Sequence, residues 1–145
     1  MAVVLRSCEA ANGSTHMRER IRARLRVFQV DAVQNIGFAV NRTKSKFSGA
    51  GRLNSGSYYR SINEDIRAGL AKYVDQSANF IRQVTPGSSA EYVDELWDAA
   101  HKLKQEIMAN KNELRAEFGV TLDELIERKV KDFELGYVEG KDIEG

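Results

Sequence analysis

Five arginines alternate with other residues through RERIRARLR, at Arg18, Arg20, Arg22, Arg24 and Arg26. On a helix, Arg18, Arg22 and Arg26 fall on one flank at a spacing of four. Arg20 and Arg24 fall on another, and Ile21 and Leu25 turn inward. Arg42, Lys44, Lys46 and Arg52 carry positive charge on toward a glycine-rich stretch, Ser48–Ser57 (SGAGRLNSGS). A row of cations has two common uses. It attracts phosphate backbones without reading sequence, or it pairs with carboxylates on an acidic protein surface.

The charge distribution favours the second use. Through Arg60, eleven Lys and Arg stand against three Asp and Glu, a net of +8; from Ser61 onward eleven stand against eighteen, a net of −7. The two halves cancel to +1 over the whole chain, whereas dedicated nucleic-acid binders are usually more basic. The expected counterpart of the arginines is therefore acidic protein surface, within this chain or on a second copy. A nucleic-acid-binding module using the basic helix and the glycine-rich loop is the alternative. The candidate interaction surface comprises the five arginines with Arg42, Lys44, Lys46, Arg52, Asn54 and Arg60.

The glycine-rich stretch invites comparison with phosphate-binding loops. Gly49, Gly51 and Gly56 do not fit the dinucleotide fingerprint, whose third glycine falls at position 54, where Asn54 stands. No strand pattern precedes it and no Gly-Lys-Ser/Thr closes it. An anion at the following helix start would find Arg52, Asn54, Ser55, Ser57 and Arg60. The preferred reading is a connection between helices.

Other chemistry is sparse. His16 and His101 lie far apart, Cys8 stands alone, and zinc usually takes three or four such ligands. No nucleophile elbow marks a Ser, His and acid set. Neither an enzyme, a cofactor nor a metal site is expected. A lone cysteine forms no internal disulfide framework and suits a reducing cytosol. The longest aliphatic run, Ala2–Leu5, is too short for a bilayer span or a signal-peptide core.

The elements that would position these residues are helices. From about His16 to Phe47, small or apolar residues recur at Met17, Ile21, Leu25, Phe28, Ala32, Ile36, Ala39, Thr43 and Phe47. Those steps form an eleven-residue repeat, which keeps the stripe nearly straight. Val33 and Val40 widen it, while Val27 and Val30 lie off it and mark a second contact face. A second helix, from about Ser57 to Val84, carries Tyr59, Ile66, Tyr73 and Phe80 every seven residues. Gly69 sits in its middle, at roughly 1 kcal/mol against alanine, which suits close approach of a neighbouring helix.

Pro86 and Gly87 break the chain. Ser88 with Glu91 makes a capping-box pattern for a third helix reaching about Phe118, whose seam carries Val93, Leu96, Ala100, Leu103, Ile107 and Leu114, with Asn110 at a seam position. Gly119 then fits a helix end, and Thr121 with Glu124 a second capping box. The shorter helix it opens bears Leu122, Ile126, Val130, Phe133 and Tyr137 on one face.

The expected fold is all-α: an elongated antiparallel bundle of three long helices, each roughly 42–48 Å at 1.5 Å per residue, plus a shorter C-terminal helix. One bundle domain covers 16–138, between a flexible arm at 1–15 and a flexible tail at 139–145. Met17, where the strong pattern begins, is a candidate for the true start of the chain. The expected function is non-enzymatic: protein–protein contact, self-association included, in the cytoplasm.

Overall fold

In a computed structural model, the structure describes the backbone of residues 2–51, 55–110 and 116–136, and the side chains of 15–51, 55–109 and 119–136. Four α-helices carry the fold: α1 (Ala2–Gly49), α2 (Gly56–Val84), α3 (Val93–Asn110) and α4 (Ala116–Leu135), with a 3₁₀ turn at Ser89–Tyr92 before α3. No strand occurs among the described residues.

Cross-helix contacts fix the directions. Phe47 meets Tyr58, Thr43 Oγ1 donates to Asp65 at 2.5 Å, and Phe28 meets Phe80, so α1 and α2 run antiparallel. Arg18 reaches Glu95 and Gln29 reaches Glu106, so α1 and α3 run parallel. Lys104 reaches Asp123 across antiparallel α3 and α4. Lys129 reaches Asp75, and Arg82 stacks on Phe133, across parallel α2 and α4. The chain therefore goes up, down, up, down. α1 and α4 each pack on α2 and α3 and stand at diagonally opposite corners.

The periodic stripes are the core. Ile21, Leu25, Ile36 and Phe47 of α1 are buried against Ile62, Ile66, Leu70, Tyr73, Val74 and Ile81 of α2. Leu96, Ala100, Leu103 and Ile107 of α3, and Leu122, Ile126, Val130 and Phe133 of α4, complete one cluster. The eleven-residue spacing slips at Ala39, which is only half-buried while Val40 is fully buried, and returns to the core at Phe47. Gly69 does allow close approach: a Cβ there would sit 2.2 Å from Ile36 Cγ1.

The helix lengths and three boundaries depart from expectation. α1 runs to 48 residues and α3 to only 18, so the three long helices are not matched. The α1 backbone continues helically from Ala2 through Ala11–Thr15, where the polar cluster predicts a break. Ser88 and Glu91 form no capping box. The 3₁₀ geometry brings the Glu91 N–H to the Ser88 carbonyl at 3.1 Å, and the Ser88 side chain caps nothing. Gly87, at φ +82°, supplies the reversal before it. Gly119 and Thr121 do not mark a boundary either, because α4 already begins at Ala116. Packing overrides the local signals: Gly119 is itself buried, and a Cβ there would come 3.3 Å from the flexible Met108 Cε. Leu114 and Tyr137, and the tail at 139–145, lie outside the described residues, as does the Asn110 side chain.

Candidate functional site

The arginine row is divided by the fold. Arg18 and Arg22, one turn apart on α1, both reach Glu95 in the first turn of α3: Arg18 Nη1 donates at 2.5 Å and Arg22 Nε at 2.6 Å. The Glu95 side chain is 2% exposed, so this carboxylate is buried with two cations over it. The first turn of a helix also favours negative charge. Arg18 donates in addition to the Glu91 carbonyl and stacks over the Tyr92 ring at 5.0 Å. Arg24 lies over Phe80 at 5.7 Å. Part of the basic helix is thus answered by this chain's own later helices.

The rest faces outward. Arg20, Arg26, Arg42 and Lys46 are exposed, and Lys44 is half-buried. Arg60 is exposed near the start of α2, while Arg52 and Asn54 lie outside the described residues. The predicted site is therefore not one constellation. The helix start beside the glycine-rich loop is capped conventionally, with the Tyr58 N–H donating to Ser55 Oγ at 3.1 Å. Gly51 takes a left-handed φ of +71° just after α1.

Outward on α1 lies a second apolar stripe. Val27, Val30 and Phe38 are 53%, 61% and 60% exposed. Their steps of three and eight keep them on one side of the helix, opposite the buried residues Ile21, Leu25 and Ile36. Phe38 forms an open, shallow groove with Asn41, Arg42 and Ser45. Val27 and Val30 are legible as a second face in the sequence. Phe38 extends that face two turns beyond Val30, and the polar Gln34 between them hides the continuity.

A small cleft of about 70 Å³ lies between α1 and α3, with Arg22, Arg26, Gln29, Glu95, Asp98 and Lys102 among its lining residues. Tyr73 stands at its apolar base and donates its hydroxyl to the Leu25 carbonyl at 3.1 Å. Burial pushes the Tyr73 phenol up to about 12. His101 packs against Trp97 with ring centroids 4.3 Å apart and the ring planes tilted by 60°. Its Nδ1 stands 3.9 Å from Asp123, beyond hydrogen-bond range, while Asp123 accepts from Lys104 at 2.7 Å. Among the described residues no group of three or more His, Cys, Asp or Glu converges as a metal site, and no helix is long and apolar enough to cross a membrane.

No protein-family model, no curated protein and no solved structure matches this chain.

Proposed function

We propose that this chain is a non-enzymatic helical-bundle protein of the cytoplasm that acts through protein–protein contacts, self-association included. The observation that supports this best is the outward stripe of Val27, Val30 and Phe38 on α1. Single exposed apolar residues are ordinary on any surface. Three in register on the outer side of one long helix, opposite its core stripe, form the amphipathic face that partner helices recognise. Arg20, Arg26 and Arg42 lie along this part of α1 and suit an acidic partner surface. Arg18 and Arg22 are engaged by Glu95 of this chain and are not part of that surface.

The test is solution mass by light scattering over a concentration series at low and high salt, beside binding assays with duplex and single-stranded nucleic acid. The proposal expects a mass above the monomer's that falls with dilution and added salt. Tight, steeply salt-dependent nucleic-acid binding by a monomer would replace it with the alternative.

A further inference from the structure

We infer that the surface covering the outer face of α1 is the outer face of α4 on a second copy, so that the protein assembles head to tail. This rests on reading the α1 face as a self-association surface. The outer side of α4 presents Val120, Glu124, Glu127, Lys131, Glu134 and Leu135, all exposed and in helical register. Val120 and Leu135 are 59% and 63% exposed. Between these apolar ends the exposed charged residues are Glu124, Glu127, Asp132 and Glu134, against Arg128 and Lys131, so the face is net acidic.

The α1 face has the complementary character. Its apolar span from Val27 to Phe38 covers about 16 Å, against about 22 Å from Val120 to Leu135. Arg20, Arg26 and Arg42 border it, with Asp31 the acidic exception in that span. Packing α1 on α1 of another copy would oppose arginines to arginines, and like charges across an interface are unfavourable. Packing α1 on α4 brings a net-positive face against a net-negative one.

The topology dictates the consequence. α1 and α4 occupy diagonal corners, each packed on α2 and α3, so their outer faces point away from each other. One copy then offers α1 on one side and α4 on the other. Such a heterologous contact leaves a free face at each end, and assembly continues until a ring closes. A contact of one helix from each copy belongs to the small interface class, so association is weak, concentration-dependent and loosened by salt.

Two double variants test this. V30E/F38E blocks the α1 face, and E124K/E127K blocks the α4 face; all four residues are exposed. Sedimentation velocity is run at low salt over a wide concentration range, with thermal melts confirming the folded state. The unmodified protein should pass beyond the dimer as concentration rises. Each variant alone should remain monomeric, and an equimolar mixture should form a one-to-one dimer and stop there, because only one compatible pair of faces remains. An unmodified protein that stops at a dimer, with E124K/E127K still dimeric on its own, would overturn head-to-tail assembly and leave self-association through the α1 face standing. An unmodified protein that is monomeric throughout would overturn both. If a charge-bearing variant melts early, F38S and E127Q carry the same comparison and should each lower the mass at a given concentration.

Discussion

Replacing Gly69 with alanine tests the packing of α1 on α2 at a point of close approach. In an open helix, Gly→Ala stabilises by about 0.8–1 kcal/mol. Gly37, on α1, offers that open case, since a Cβ there would meet nothing within 4 Å. At Gly69 the new methyl would sit 2.2 Å from Ile36 Cγ1 and 2.8 Å from Cδ1, against ordinary carbon contacts of about 3.5–4.0 Å. The offending Cγ1 is near the backbone of a 2%-exposed side chain, so Ile36 cannot simply swing away. Overpacking of this kind costs about 1–3 kcal/mol. Subtracting the propensity gain leaves G69A roughly 0–2 kcal/mol less stable than the unmodified protein, whereas G37A should be up to about 1 kcal/mol more stable. Urea midpoints at constant slope measure both. In an I36A background the obstacle is gone, and Gly69→Ala should turn neutral or stabilising, a coupling above about 0.5 kcal/mol. If G69A is as stabilising as G37A, the close approach of α1 and α2 described above is wrong.

Two further outcomes follow from buried groups. Glu95→Ala removes the carboxylate shared by Arg18 and Arg22 and should cost about 1–3 kcal/mol, the scale of charge-assisted hydrogen bonds, because the two half-exposed arginines regain water when freed; a loss below about 0.5 kcal/mol in denaturant melts would show that the clamp does not hold α1 on α3. The Tyr73 phenol, at about 12 in the fold against 10.0 ordinarily, stays neutral longer when folded, so its contribution is intact below pH 10 and is lost as pH rises through about 12. It amounts to roughly 2–3 kcal/mol by pH 12, and Y73F should flatten that alkaline decline in chemical melts taken between pH 9 and 12.

Helix content and core faces are legible in the sequence because periodicity is a local property. The steps through Ile21, Leu25 and Ile36, the seven-residue spacing through Ile66 and Tyr73, and the seam at Leu96 and Leu103 all fall on buried positions. The boundary between the third and fourth helices is not legible. Gly119 and Thr121 carry end-of-helix chemistry, yet Leu122, Leu125 and Ile126 continue a buried face and Gly119 itself is buried. Tertiary packing outweighs a cap contributing only about 1 kcal/mol.

The site divides the same way. The arginine row and the second face at Val27 and Val30 are visible as spacing in one helix. The capture of Arg18 and Arg22 by Glu95 depends on the register of two helices more than 70 residues apart in the chain, as the separations of 77 and 73 residues show. Nothing local to Glu95 announces it, since a carboxylate in the first turn of a helix is ordinarily solvated.

The proposed association rests on the outer face of α1. The most direct measurement compares the concentration-dependent solution mass of the unmodified protein with that of F38E at low salt. Phe38 is 60% exposed, so its replacement should leave the melting midpoint unchanged within ordinary surface effects of about 0.5 kcal/mol. Association through this face predicts a mass that rises with concentration in the unmodified protein and stays at the monomer in F38E. Equal masses for the two proteins at every concentration would contradict it.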